Sequence, residues 1–109
     1  MSAICLVNLS AESRVAALVR TIVINKLPCV VGRDPDCDRR IENDTASRRH
    51  CAFTFREGRV WVKDLGSRNG TFLNGIRLRD ARPLCAGDLL DLGGEHLRVY
   101  ISNSLSGAA

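Results

Sequence analysis

Aromatic side chains are scarce: three Phe, one Trp and one Tyr among 109 residues. A protein that grips single strands by stacking bases needs more of them, so that class starts at a disadvantage. No apolar run approaches the roughly 18 residues that a membrane-spanning helix requires. The opening MSAICLVNLSAESR has no basic region ahead of its short apolar stretch, which argues against a secretory signal. Cysteine occurs at 5, 29, 37, 51 and 85, yet there is no CxxC pair and no two lie at zinc-ligand spacing. This odd, scattered set reads as reduced thiols acting as small hydrophobes inside strands, with Cys37, in the polar run Asp34–Asp38, expected to be the exposed one. No Walker loop, dinucleotide fingerprint or GxSxG elbow is present. Lysine is nearly absent too: the 16 basic residues comprise 14 Arg and 2 Lys.

What is present describes an ordinary globular domain. Hydrophobic residues make up 45% of the chain and charged ones 26%, which excludes a wholly disordered or fibrous protein. The length suits one domain with one core, and the thiols suit the cytosol. Strand signals dominate. Cys51, Phe53 and Phe55 alternate with smaller or polar neighbours, and Leu97, Val99 and Ile101 alternate with His96, Arg98 and Tyr100. That period of two marks half-buried strands. Further β-branched runs lie at Thr21–Ile24, Cys29–Val31 and Val60–Val62, separated by turn signals at Glu57-Gly58, Asn69-Gly70, Asn74-Gly75, Ala86-Gly87-Asp88 and Gly93-Gly94. The pattern predicts an all-β, antiparallel sandwich or small barrel. The weak helical stretch Ala11–Leu18 is read as a loop or single turn, and 102–109 as a fraying tail or the start of a linker.

The chemistry sits in loops. Gly32-Arg33 follows one strand, Ser47-Arg48-Arg49-His50 precedes another, and Asp64-Leu65-Gly66-Ser67-Arg68-Asn69-Gly70-Thr71 and Asn74-Gly75 come later. A sandwich gathers its loops at two ends, so these groups can converge. Arg33, Arg48 and Arg68 supply planar forks that match phosphate oxygens. Ser47 and Ser67 add hydroxyl donors, and the Asn69 amide suits peptide backbone. Asp64 is expected to be tied up locally at its turn. Such a set fits a compact dianion with main chain attached. Two or three charge-assisted bonds of roughly 1.5–3 kcal/mol each, with peptide contacts added, give micromolar-range recognition.

In order and spacing these residues resemble the signature of the forkhead-associated (FHA) domain. The motifs span about residues 29 to 75, and the flanking strands extend the resemblance to about 1 to 101. It implies a β-sandwich of about eleven short strands whose loops at one end bind phosphothreonine peptides in Ser/Thr kinase signalling. Arg33 and Ser47 would hold the phosphate, Arg48 and Arg68 would add phosphate or peptide contacts, and Asn69 would bond the peptide main chain. Gly32, His50, Ser67, Gly70 and Asn74 would brace the loops, Asn74 by tying its turn to them. Loops around Asp34–Asp44 and near Arg68 would set preference at the third residue after the phosphothreonine, with the arginines favouring an acidic one. No cofactor, metal or membrane is implied, and the partner is a phosphothreonine protein, such as a Ser/Thr kinase or its substrate.

Other readings are weaker. Ser47, His50 and Asp64 invite a hydrolase triad, but no strand–elbow–helix context surrounds them. Nucleic-acid binding would explain a pI near 9.1, yet residues 33 to 71 hold nine Arg or Lys against seven Asp or Glu, which leaves no broad basic stripe. A phosphorylation-independent FHA-like binding module would have no need of Arg33, Ser47 and Asn69. Arg39, Arg40, Arg49, Arg56 and Arg59 read as surface charges, and Trp61 as packing.

Overall fold

The computed structural model describes residues 2–9 and 21–103. The stretch Ala11–Leu18 and residues 104–109 lie outside these described residues, whereas Ser102 and Asn103, expected to belong to a tail that begins at 102, are paired with β1. Among the described residues, eleven strands form two sheets that pack face to face. The larger sheet runs β2 (Ile22–Ile24), β1 (Ser2–Asn8), β11 (Glu95–Asn103), β10 (Leu89–Leu92), β7 (Thr71–Leu73), β8 (Ile76–Arg77). The smaller runs β4 (Arg39–Arg40), β3 (Cys29–Gly32), β5 (Cys51–Arg56), β6 (Arg59–Asp64), β9 (Arg82–Pro83). Every ladder is antiparallel except the two-residue pairing of β3 with β4, which is parallel. β11 is the longest strand and continues to Asn103, past the alternating run visible in the sequence.

Alternation places the core. Leu97 and Val99 of β11, Ile4 and Leu6 of β1, and Leu90 and Leu92 of β10 face Val31, Phe53 and Val62 of the smaller sheet, all at most 1% exposed. Cys29 and Cys51 join them as buried hydrophobes, and burial pushes the Cys29 thiol up to about 11. Two expectations fail at the margins. Phe55 has the inward parity of Phe53 but is 55% exposed, because it lies at the hairpin end of β5 where its side of the sheet is no longer covered. Cys85 is the exposed thiol; Cys37 is part-buried and its Sγ donates to the Arg48 carbonyl at 3.0 Å.

Two close contacts position the loops at one end of the sandwich. Gly32 ends β3 where the backbone of Arg48 passes over it: a Cβ there would lie 2.1 Å from the Arg48 carbonyl oxygen. Only a residue without a side chain lets β3 and the following loop lie this close. The second is Asp64, at the end of β6. One carboxylate oxygen accepts the amides of Gly66 and Ser67, each at 3.0 Å, and the other accepts the hydroxyls of Ser67 and, at 2.7 Å, Thr71. Burial raises the carboxyl's affinity for a proton, but these four bonds outweigh it and hold the group below its ordinary 3.8.

Two outcomes are expected. Gly32→Ala should destabilise the fold by about 2–3 kcal/mol, a melting drop of roughly 10–15 °C, because backbone rather than a flexible side chain must move; an unchanged melting curve would contradict the close approach. Asp64→Asn should cost about 2–3 kcal/mol near neutral pH by losing charge-assisted bonds. Since the folded carboxyl titrates below its unfolded value, that contribution is complete above about pH 4 and disappears as pH falls through the depressed value. Denaturant melts of both proteins against pH should therefore converge in acid, and a constant gap would contradict the assignment.

Candidate functional site

Three residues of the loop between β4 and β5, Thr45 to Ser47, gather the others. The Ser47 carbonyl accepts the Arg33 amide at 2.9 Å, and the Ala46 carbonyl accepts Nε–H of the Arg33 guanidinium at 3.0 Å. From the β6–β7 loop, the Arg68 amide donates to Oγ of Ser47 at 2.9 Å. Nδ2 of Asn69 donates to the Thr45 carbonyl at 2.7 Å. Residues separated by up to 36 positions thus meet on one short stretch of backbone.

What these bonds leave over defines the chemistry. Arg33 is half-buried and anchored through Nε, so the N–H groups of its two terminal nitrogens point to no partner among the described residues. Ser47 uses its oxygen as an acceptor, which leaves its hydroxyl hydrogen to donate. Asn69 keeps its side-chain carbonyl and a second amide hydrogen. The guanidinium groups of Arg48 and Arg68 are exposed and make no ion pair among the described residues. All are donors except the Asn69 carbonyl, and the positive charge lies at Arg33, Arg48 and Arg68. An oxyanion of high charge density fits; a cation does not. Alongside runs an open groove of about 370 Å³ bordered by Arg33, Arg40 and Arg48 and by Asp34, Glu42 and Asp44.

The bracing residues are buried beneath. His50, fully buried, opens β5's approach with both ring nitrogens used: Nδ1 accepts the Ser47 amide at 3.1 Å, so the proton is on Nε2, which donates to the Gly70 carbonyl at 2.9 Å. Neither nitrogen reaches the Ser47 hydroxyl, and Asp64 is spent on its own turn, so the three form no relay. Ser67 is 7% exposed and gives its hydroxyl to Asp64, which removes it from the candidate ligand donors. Asn74 does not tie its turn to the binding loops: its Oδ1 accepts the Leu89 amide at 2.9 Å and its Nδ2 donates to Asp88 at 3.2 Å, at the start of β10. Asn69-Gly70, a dipeptide that suits a type I′ hairpin turn, does not form one, for among described non-glycine residues only Glu57 and Asn74 have positive φ.

Sequence reasoning missed a second brace behind Thr45. Its Oγ1 donates to the Gly93 carbonyl, and its amide donates to Oδ1 of Asn43 at 2.9 Å. Asn43 in turn donates to Glu95 at 3.2 Å, a buried carboxylate that also accepts from Asn8 at 3.0 Å. A Cβ on Gly93 would lie 2.6 Å from the Thr45 carbonyl, so the β10–β11 turn presses directly on the site loop. The Gly93-Gly94 pair reads as a plain turn signal in the sequence; only its contact partner reveals the second use.

Comparison with known proteins agrees with this geometry. The family model of the FHA domain matches residues 29–93. The oxoglutarate dehydrogenase inhibitor of Corynebacterium glutamicum is 40% identical over 62 residues, 57% of this chain and 43% of that protein. The glycogen accumulation regulator GarA of Mycolicibacterium smegmatis is also 40% identical over 62 residues, 57% of this chain and 39% of its own length. The chain therefore spans less than half the length of these relatives. Among solved structures, Mycobacterium tuberculosis EmbR in complex with a low-affinity phosphopeptide superposes with TM-score 0.77 at 22% identity, over 92% of this chain and 24% of that one. An FHA domain solved in a study of phosphothreonine-dependent interactions gives 0.76 at 23% identity, covering 94% and 99%. With a matching sequence profile over more than half its length and the same sandwich, the chain belongs to the FHA domain family.

Proposed function

We propose that this chain is a phosphothreonine-dependent protein-interaction module of Ser/Thr kinase signalling, and that it catalyses no reaction. One observation carries the reading: a guanidinium pinned through Nε to the Ala46 carbonyl stands beside a serine hydroxyl whose oxygen is already bonded to the Arg68 amide. Both groups are oriented before any ligand arrives, so little rotamer entropy is lost on binding. A phosphate of about −2 charge accepts from both. Asn69, fixed on Thr45, is set to bond the peptide backbone beside it.

The partner is a protein phosphorylated on threonine, a kinase or a kinase substrate. Relatives named as an inhibitor and a regulator support a binding role, as does the absence of an activated nucleophile among Ser47, His50 and Asp64. The setting is the cytoplasm. Five free cysteines suit a reducing compartment, and no helix among the described residues is long and apolar enough to cross a membrane.

By calorimetry, a phosphothreonine peptide selected from an oriented library should bind in the micromolar range, and its unphosphorylated twin at least about 100-fold more weakly. Arg33→Ala should remove the binding while costing only about 1 kcal/mol of stability, the worth of the single bond to Ala46. Equal affinity for both peptide forms would contradict the proposal, and a collapse of the melting curve in Arg33→Ala would make that arginine structural.

A further inference from the structure

The phosphate site accounts for Arg33, Arg48 and Arg68 but not for the basic residues on the outer face of the smaller sheet. In the β5–β6 ladder, Ala52 pairs with Lys63, Thr54 with Trp61, and Arg56 with Arg59. These are the positions that alternate with buried Phe53 and Val62, so Lys63, Trp61, Arg56 and Arg59 share the solvent face. Three cations therefore follow one another along about 13 Å of strand, with the chain's single Trp between them. No carboxylate pairs with any of the three among the described residues; the two acids adjacent in sequence are Glu57, exposed at the hairpin turn, and Asp64, whose oxygens are taken by Gly66, Ser67 and Thr71.

Two features set this strip apart from ordinary solvated charge. Arg56 and Arg59 stand directly opposite each other across the ladder, and like charges in that position destabilise a sheet. Their side chains are also held in place. The Arg56 guanidinium lies 4.5 Å above the Trp61 ring, whose Nε1–H donates to the Arg56 carbonyl at 3.0 Å, while Arg59 reaches Sγ of Cys85 at 3.3 Å. Neither contact neutralises a charge, so both guanidinium groups keep theirs for an anion to meet.

The strip is continuous with the phosphate site. Lys63 immediately precedes Asp64, which closes the loop carrying Arg68 and Asn69, and Ala52 follows Cys51 just after the Ser47–His50 segment. We infer that the outer face of β5 and β6 is a second contact for the same partner: an acidic segment of the phosphorylated protein lies along Lys63, Trp61, Arg56 and Arg59. This rests on the phosphothreonine reading for its partner but on separate residues for its contact. An acidic peptide fits better than a nucleic acid, since the face presents one half-buried aromatic and no series of stacking platforms. Bidentate arginine–carboxylate pairing supplies the recognition.

Trp61 provides the readout, as the only tryptophan in the chain. An eight-residue glutamate peptide without phosphate, titrated at low salt, should change Trp61 fluorescence in the native protein and in Arg33→Ala. It should not do so in an Arg56→Gln, Arg59→Gln, Lys63→Gln variant. In a second arm, the library-selected phosphothreonine peptide carries a flexible spacer and either four glutamates or four glutamines, placed at either end in separate versions. The glutamate tract at one end should tighten binding to the native protein on the order of tenfold at low salt. The triple variant should lose that gain and keep the affinity for the glutamine form. Silence of Trp61 toward the glutamate peptide would overturn the inference whatever the phosphate site does, as would a tenfold gain that survives in the triple variant. A random 12-nucleotide single strand that perturbs Trp61 more strongly than the glutamate peptide would replace the acidic segment with nucleic acid. Failure of phosphate binding would show separately, as loss of both phosphopeptide forms with the Trp61 response to glutamate intact.

Discussion

Both loops that make the site hang from one imidazole. His50 accepts the Ser47 amide on one side and donates to the Gly70 carbonyl on the other, from a position with no solvent exposure. A buried ring with both nitrogens satisfied is stiff, because breaking either bond leaves an unpaired polar group in the core. The amide it fixes belongs to Ser47, whose hydroxyl hydrogen is left to donate, and the carbonyl it fixes follows Arg68 and Asn69 in the chain. Gly32 and Gly93 then allow backbone to close on this loop from two directions, and Asn43 with Glu95 secures Thr45 from behind. The result is a set of donors whose positions are determined by the core rather than by the ligand.

Much of this was legible in the sequence. Period-two alternation located β5 and β11, the β-branched run Val60–Val62 located β6, and dipeptides such as Glu57-Gly58 and Asn74-Gly75 marked hairpin turns that the positive φ values bear out. The order Arg33, Ser47, Arg68, Asn69, with each group at a strand edge, was enough to gather them at one end of a sandwich. What escaped depends on contacts distant in sequence. Nothing near Asn74 says that its amide is committed to Asp88 and Leu89, and nothing near Thr45 announces Gly93 and Glu95. Phe55 obeys the alternation and still faces water, since parity gives the side of a sheet but not where the opposite layer stops. Cys37 looked exposed in an acidic run; a hydrogen bond to the Arg48 carbonyl draws it into the loop.

Seven of the 14 arginines fall into three groups with different physics. Arg33, Arg48 and Arg68 stand at the loop end with unshared donors. Arg39 and Arg40 are spent locally, on the Val23 and Asp38 carbonyls and on the Arg33 carbonyl and Glu42 respectively. Arg56 and Arg59 form, with Lys63, an ordered cationic strip on the outer sheet face. Net charge alone suggested a general attraction for polyanions. Distribution separates a point of high charge density, suited to one phosphate, from a line of moderate density, suited to an extended acidic chain.

On the proposed reading, a preformed cradle of Arg33 and Ser47 holds one phosphate. NMR detection of the amide and arginine side-chain signals during titration with a phosphothreonine peptide is the test. The largest shifts are expected on the Arg33 guanidinium and the Ser47, Arg68 and Asn69 signals, while the His50 ring signals stay nearly fixed. Largest shifts elsewhere, or a rearrangement of His50 on binding, would contradict it.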